Sequence, residues 1–178
     1  MSGTPMSEPV MPPKAKLFVG IIFSTEEVLA TAVKILVKKF GDIDYRTKNI
    51  PFVHTKYYSD MGSAQFKVLL SFRRLIRRED IVEIKLFTNK IEKRFTENKV
   101  RKVNIDPGYL TLSNVYLATC KEFFHRSYLR RGVYLENEYR YVAKRYQPWD
   151  WTYPDYQKPE YLFFFHEVRR MYYNQQKG

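Results

Sequence analysis

The sequence has almost no cysteine: Cys120 is the only one among 178 residues, which excludes a disulfide within the chain. Such sparing use of cysteine is typical of reducing compartments. There is also no run of about 20 apolar residues of the kind that spans a bilayer. Residues 1–16 lack the continuous apolar stretch of a signal peptide. We therefore expect a cytoplasmic protein without a membrane partner.

Glycine-rich phosphate loops and metal-binding motifs are missing as well. The seven glycines never fall into the spacing of a P-loop or of a G-x-G-x-x-G dinucleotide motif. The histidines His54, His125 and His166 lie far apart, and neither an H-E-x-x-H motif nor a cysteine pair is present. A nucleotide would therefore have to be bound by side chains, and a metal ion by carboxylates from several elements.

Positive charge and aromatic rings are what the sequence has in excess. Lys and Arg number 31 against 19 Asp and Glu, which gives a net charge of +12, and 17% of the residues are aromatic. A field of this sign attracts phosphates, whether in small molecules or in nucleic acid. The charge is spread along the chain, so composition alone does not select one partner.

The spacing of apolar residues predicts an α+β fold. Ser24 and Glu27 have the spacing of a capping box before a helix, and Gly41 stands where that helix would end. Strands are predicted at residues 17–23, within residues 43–53, and at residues 64–72 and 100–105. Helices are predicted to start at residues 24 and 79, and Lys85 is predicted to face outward from the second helix. The order βαββαβ predicts a ferredoxin-like core with a mixed or antiparallel sheet.

The remainder of the chain is predicted to extend this core. The residues Asp106-Pro107-Gly108 indicate a turn. A β-hairpin is predicted from strands over 114–123 and 132–145, followed by a proline-bearing loop and a helix over 160–173. Four prolines lie within residues 1–13. We therefore expect a disordered leader over residues 1–15 and a single α+β domain over residues 16–178.

Polar residues crowd at two places that follow predicted strands. Asn104 and Asp106 flank one strand end, and His125 and Arg126 come after the next strand. His125 can exchange a proton near neutral pH, and Arg126 can hold a phosphate or carboxylate with two hydrogen bonds. In the structural alternative, Asp106 caps a turn, His125 is hydrogen-bonded in the core and Arg126 forms an ion pair with Asp106 or Asp155. The functional interpretation predicts that Asp106, His125 and Arg126 share one cleft.

Two further segments are candidates for the same site. Glu136 and Glu138 lie two residues apart on a predicted strand and so face one side, with Arg140 next in register. Acidic groups placed in this way can hold Mg²⁺ beside a phosphate, although a solvated strand face with an ion pair is the alternative. The loop over 149–156 carries four rings, which either stack on bases or anchor the loop over the core. We expect this loop to cover the site.

Several motifs taken together resemble one family. They are Tyr57–Gly62, Lys85–Asn89, Asn104–Leu110, His125–Leu129 and Trp151–Tyr156. On these motifs the sequence resembles a bacterial family of similar length, domain of unknown function 4416, over about residues 15–173. The resemblance implies no assigned activity. Where the family tends to have Glu before Met-Gly, this sequence has Asp60, which keeps the charge and shortens the reach.

The function expected first is that of an enzyme or binding protein for an anionic ligand, either phosphorylated or a nucleotide. His125, Asp106 and Glu136 would be the catalytic residues. The ligand-binding residues would be Asn104, Arg126, Tyr128, Trp151, Tyr153 and Asp155, and one or more carboxylates would hold a divalent metal ion. One alternative is a nucleic-acid-binding module, which the lack of an RNP1 signature disfavours. The other is a scaffold whose rings are buried in a homo-oligomer.

Overall fold

The chain is an α+β protein built on one large antiparallel sheet. The computed structural model describes residues 8–52, 65–98 and 100–177. Its helices are α1 (Glu26–Phe40), α2 (Ile81–Arg94) and α3 (Pro159–Gln175). Its strands are β1 (Ala15–Phe23), β2 (Ile43–Arg46), β3 (Ile50–Phe52), β4 (Gln65–Ile76), β5 (Thr96–Glu97), β6 (Val100–Arg101), β7 (Val103–Leu110), β8 (Asn114–Thr119), β9 (Ser127–Arg130), β10 (Val133–Val142) and β11 (Arg145–Pro148).

The main sheet has nine strands in the order β11-β10-β8-β7-β1-β4-β2, with β3 also paired to β4 and β9 to β10. The strands β5 and β6 form a separate two-stranded ribbon. Strand β1 lies between β4 and β7, and all nine of its residues are buried. A strand buried on both faces has no polar side to show, which is why the sequence there is a continuous apolar run.

The two faces of the sheet carry different layers. Helices α1 and α2 pack on one face, where Leu29 and Ile84 meet alternate residues of β1 such as Val19. Helix α3 packs on the other face, where Phe165 meets the ring of Phe18 edge to face at a centroid distance of 4.8 Å. The α3 face is therefore the one that also receives the loop before α3 and the candidate site.

Helix α1 begins and ends at clear signals. Thr25, rather than the predicted Ser24, is the N-cap, because its hydroxyl accepts a hydrogen bond from the Val28 backbone N–H at 3.4 Å. Gly41 ends the helix with φ of 88°, a conformation in the left-handed region that glycine adopts without strain. The predicted strand and helix of the first unit are thus confirmed, with the cap shifted by one residue.

The segment predicted as a turn, Asp106-Pro107-Gly108, lies inside β7 instead. Proline usually disrupts a strand because it lacks an N–H. Here Pro107 lies just before β8 begins to pair with β7, at Gly108, so its missing N–H removes no ladder bond to β8. Gly108 is required by close packing, since a Cβ there would collide with the Tyr116 carbonyl and the ring of Phe18.

The C-terminal strands differ from the prediction in number and length. Strand β8 ends at Thr119 and β10 covers Val133–Val142, so both are shorter than expected. The short strands β9 and β11 were not predicted, because four residues are too few to show apolar alternation. A register shift between Asn137 and Tyr139 marks a β-bulge in β10. The motif over residues 57–62 lies outside the described residues.

A buried lysine ties α3 to the sheet. Lys16 is fully buried in β1 and donates hydrogen bonds to Asp44 and, at 2.8 Å, to Gln175 at the end of α3. Burial lowers the pKa of Lys16, and the Asp44 carboxylate opposes this effect. Ser71 donates a second hydrogen bond to Asp44 at 2.6 Å. The network therefore joins β1, β2, β4 and α3.

We predict that Gly108→Ala destabilises the protein by about 1–3 kcal/mol or more, because an added methyl group meets backbone and a packed ring rather than a movable side-chain end. Urea unfolding followed by circular dichroism measures the loss. Gly20→Ala is the matched control on the neighbouring strand, since its Cβ would lie 3.2 Å from the flexible end of Lys67. Equal stability of the two variants would contradict this account of Gly108.

Candidate functional site

The candidate site lies where β7 and β8 diverge. Strand β7 pairs with β1 along its whole length, but β8 pairs only with Gly108–Leu110. Among the described residues, the edge of β7 before Gly108 therefore has no neighbouring strand on the β8 side. Beyond Thr119 the chain turns through residues 120–126 and returns as β9, which pairs with β10. We call the region between β7 and the 120–126 segment the fork.

The Glu136 carboxylate is the centre of the polar network beside the fork. Glu136 lies on β10, opposite Leu117 and on the α3 face, and is 1% exposed. One of its oxygens is 2.7 Å from His125 Nε2, and the other accepts a hydrogen bond from Arg126 Nε at 2.7 Å. A buried carboxylate needs such donors, because it has lost its water.

Arg126 uses every nitrogen of its guanidinium group. Besides the contact with Glu136, Nη1 donates to the Lys121 carbonyl at 3.0 Å and Nη2 donates to the Tyr153 hydroxyl at 2.7 Å. Arg126 thus links the 120–126 segment, β10 and the loop before α3. The predicted structural alternative paired Arg126 with Asp106 or Asp155, whereas the structure pairs it with Glu136.

His125 has one ring nitrogen engaged and the other unpaired. Its ring stacks on Trp151 at a centroid distance of 5.2 Å and an interplanar angle of 11°. Because a carboxylate can only accept, the contact with Glu136 places the His125 proton on Nε2. Within the described residues, the buried Nδ1 has no hydrogen-bond partner. The imidazole is therefore held in the tautomer whose Nδ1 lone pair is available to accept a proton.

A second group of polar residues lines the open edge of β7. Asn104 donates to Asp106 at 2.6 Å, and the Lys85 ammonium group lies 3.2 Å from the other Asp106 oxygen. Glu92 lies two turns along α2 from Lys85, on the same face of the helix. It accepts a hydrogen bond from the Ile105 backbone N–H at 2.7 Å. Burial raises the pKa of Glu92, while Lys85 opposes the shift. Side chains of α2 thus occupy the edge that β8 leaves unpaired.

A third group surrounds the loop before α3. Lys67 Nζ lies 2.7 Å from an Asp155 oxygen and 4.6 Å from the centroid of the Tyr156 ring. Nearby, Glu138 is 0% exposed, and within the described residues neither of its oxygens has a hydrogen bond of ordinary geometry. Burial raises the pKa of Glu138 well above its usual range, and the Glu136 carboxylate adds to the shift. Burial therefore disfavours the charged form of Glu138.

Tyr153 shows that these groups share one region of the sheet face. Burial raises the pKa of the Tyr153 phenol to about 12, and the charges of Glu136, Asp106 and Glu138 add to the shift, while Arg126 opposes it. The Tyr153 hydroxyl also accepts a hydrogen bond from Arg126, which is paired with Glu136. His125 and Arg126 therefore share one network, and the presence of Asp106 in the same cleft stays a prediction.

The loop before α3 lies over this region, as predicted. Trp151 Nε1 donates to the Asn137 carbonyl at 2.9 Å, and the Thr152 hydroxyl donates to the Glu138 carbonyl at 2.6 Å. Both acceptors are in the bulge of β10, where carbonyls are not used in the ladder. The rings thus anchor the loop, and His125 lies directly beneath one of them.

Two side chains singled out in the sequence make no contact with the polar network among the described residues. Tyr128 lies on β9 with its side chain 61% exposed and packs edge to face on Tyr134. Arg140 is not in register with the two glutamates, because the bulge reverses the alternation before it; its guanidinium lies 4.4 Å from the Trp149 ring. The catalytic and ligand-binding roles of all the predicted site residues, Tyr128 included, stay predictions.

Sequence reasoning missed three residues of the site. Lys85 was expected to face outward, yet it is buried, and Lys67 and Glu92 were not considered. A signal existed for two of them: Lys85, Thr88 and Glu92 recur at helical spacing on one face of α2. Among residues 8–52, 65–98 and 100–177, no group of three or more His, Cys, Asp or Glu side chains is arranged to hold a metal ion. Asp60 lies outside these ranges.

The fold and the site define an α+β protein with an acid–base network under a ring-bearing loop. The chain belongs to the family described as domain of unknown function (DUF4416), whose model matches residues 13–172. No curated protein and no solved structure matches the chain. In the described part of the chain, no helix has the length and apolar character needed to cross a membrane.

We predict that Arg126→Ala destabilises the protein by about 3–5 kcal/mol, because it leaves the buried Glu136 without its charged partner. Urea unfolding at neutral pH measures the change. Arg130→Ala is the matched control, since Arg130 is 55% exposed and lies 3.6 Å from its acidic neighbour. A loss no larger than that of the control would show that Glu136 does not depend on Arg126.

We also predict that Glu138→Gln stabilises the protein increasingly as the pH rises. Below a pH of about 4.3 the glutamate is protonated in both states, whereas above it the unfolded chain ionises and the buried group does not. Stability of the parent protein then falls by about 1.4 kcal/mol per pH unit until the raised pKa is reached. The unfolding free energies of the parent protein and of Glu138→Gln are compared at pH 4.5 and at pH 7. Glu97→Gln is the control: Glu97 is 70% exposed, so this substitution should have the same effect at both pH values. A pH-independent difference would contradict the burial effect.

Proposed function

We propose that this chain is an enzyme that uses general acid–base chemistry on a small phosphorylated or nucleotide ligand bound at the fork. The observation that carries the proposal is the state of His125, whose Nε2 is held by Glu136 while Nδ1 has no partner among the described residues. A histidine oriented by a carboxylate at one nitrogen and unpaired at the other has the geometry of a general base. Its pairing also stabilises the imidazolium that forms when the base takes a proton.

The placement of cations supports an anionic ligand. Lys67, Lys85 and Arg126 surround the site, in a chain of net charge +12. Each of the three guanidinium nitrogens of Arg126 already donates a hydrogen bond within the protein, so Arg126 positions Glu136 and Tyr153. Lys85 is the cation best placed to bind a phosphate oxygen, because its partner Asp106 is 23% exposed and their contact, at 3.2 Å, is longer than that of Lys67 with Asp155.

In this proposal Tyr153 and Asp106 have supporting roles. Tyr153 keeps its proton because its pKa is raised, so its hydroxyl can donate to a ligand oxygen while it accepts from Arg126. Asp106 is held by Asn104 and Lys85 and is more exposed than Glu136 or Asp155, so it can accept a proton from, or orient, a ligand hydroxyl. The predicted divalent metal ion is not part of the proposal.

We further propose that the core is ferredoxin-like. Support comes from the strand order β7-β1-β4-β2, in which neighbours are antiparallel, and from α1 and α2 packing together on one face. The α3 face, which is open in a bare four-stranded core of this kind, is here covered by α3 and the loop before it.

The test compares turnover by the parent protein and by His125→Gln. Release of phosphate or diphosphate is measured with a panel of nucleoside triphosphates, nucleoside monophosphates and sugar phosphates. We predict that His125→Gln lowers kcat by about 10²–10⁴-fold, the usual contribution of a general base. His166→Gln is the matched control, since His166 is exposed on α3 and remote from the network. Undiminished turnover in His125→Gln would overturn the proposal.

A second measurement tests the observation itself. In ¹⁵N-edited spectra, Nδ1 of His125 is expected to resonate as an unprotonated nitrogen and Nε2 as a protonated one, and Glu136→Gln is expected to mix the two tautomers. His166 provides the internal reference for a histidine without a carboxylate partner. A protonated Nδ1 in the parent protein at neutral pH would remove the lone pair on which the proposed chemistry depends.

A further inference from the structure

Two exposed phenylalanines form the tip of the turn that carries His125. The Arg126 N–H donates to the Phe123 carbonyl at 3.0 Å, which closes a turn with Phe124 and His125 at its centre. Phe124 is 82% exposed and Phe123 is 56% exposed. Their rings lie 5.1 Å apart at an angle of 51°. We call these two rings the ring shelf.

The ring shelf and the acid–base network are two sides of one turn. His125 points inward to Glu136, while the ring of Phe124 meets the His125 ring edge to face at 4.8 Å and that of Phe123 at 5.2 Å. A ligand with one end at Nδ1 of His125 would therefore have its other end within reach of the shelf.

We propose that the ring shelf binds the base of a nucleotide whose phosphates lie at the fork. The inference rests on the proposed function and makes it more specific, since it selects nucleotides over sugar phosphates. An exposed phenyl face stacks on a nucleobase whatever the base, because every base has a flat π surface. The shelf would thus provide affinity for the base, and the network beneath it would provide the chemistry.

The size of the shelf favours a base over a protein. Two phenylalanine rings offer at most about 300–500 Å² of contact. A stable protein interface needs about 800 Å² from each partner. The neighbouring strand β9 adds little, because it has four residues and carries Arg130, and short, charged edge strands disfavour pairing with another chain.

The charge around the shelf fits the phosphates of the same ligand. The Arg126 guanidinium lies 5.8 Å from the Phe123 ring, so the shelf has a cation on its inner side. At the other end of β9, Arg130 and Arg131 are exposed and share the single carboxylate of Glu83, which leaves an excess of positive charge on this part of the surface.

The test measures affinity by calorimetry for nucleoside triphosphates and for inorganic triphosphate, the counterpart that lacks a base. We expect Phe124→Ala to weaken nucleoside triphosphate binding by about 5- to 150-fold, the range for loss of one stacked base. Its affinity for inorganic triphosphate should be unchanged. Phe124→Tyr should keep nucleotide affinity, and Phe124→Leu, which is apolar but has no ring, should lose most of it.

The control is Phe163→Ala, because Phe163 is 63% exposed on α3, away from the turn. Equal losses for both triphosphates in Phe124→Ala, or full affinity in Phe124→Leu, would overturn the inference. So would a clear preference for an oligonucleotide over a mononucleotide, or a dimer in light scattering that Phe124→Ala dissociates.

The failure of this inference and that of the proposed function have different signatures. Ring-dependent nucleotide binding with turnover unaffected by His125→Gln would overturn the acid–base proposal and retain the shelf. In the converse case, turnover depends on His125, but Phe124→Ala changes the affinities for nucleotides and for inorganic triphosphate equally. That result would retain the acid–base proposal and overturn the shelf.

Discussion

The burial of the Glu136 carboxylate is the constraint on which the rest of the site depends. A carboxylate that is 1% exposed must be given donors by the protein, and both of its donors, His125 and Arg126, come from one turn. The position of the 120–126 segment is thereby fixed relative to β10. Since Arg126 also donates to Tyr153, the same carboxylate determines where the loop before α3 begins to cross the sheet.

The bulge in β10 explains why the network contains more acids than bases. The extra residue allows Glu136, Glu138 and Tyr139 all to be buried, where strict alternation would turn one of them to the other face. Five carboxyl groups, of Glu92, Asp106, Glu136, Glu138 and Asp155, then lie near three cations, of Lys67, Lys85 and Arg126. Burial raises the pKa of Glu138 well above its usual range, which disfavours the charged form of this acid. The arrangement costs stability, as buried carboxyl groups at functional sites commonly do.

The fold and the candidate site could be predicted from the sequence only where a residue belongs to a recognisable local pattern. The helices and central strands come from apolar periodicity, and several site residues were predicted because polar groups after strands tend to be functional. Lys67 and Lys85 were missed because a lysine is ordinarily solvated, and only tertiary structure shows that these two are buried and paired with a carboxylate. The placement of Pro107 within β7 was unpredictable for a related reason, since it depends on where β8 stops pairing.

One turn carries both the ring shelf and two residues of the acid–base network, and this limits how a ligand can reach the site. Nδ1 of His125 is shielded from solvent, so a substrate can reach it only if the turn moves. Because His125 and Arg126 are adjacent and share Glu136, moving the turn weakens both contacts of the carboxylate together. A phosphate cannot compensate for that loss, since it brings acceptors and no positive charge. Stacking on Phe124 requires no movement, because that ring is already exposed. If a nucleotide binds here, contact of its base with the turn should therefore precede access of its phosphates to His125, and the energy of stacking would be what shifts the turn.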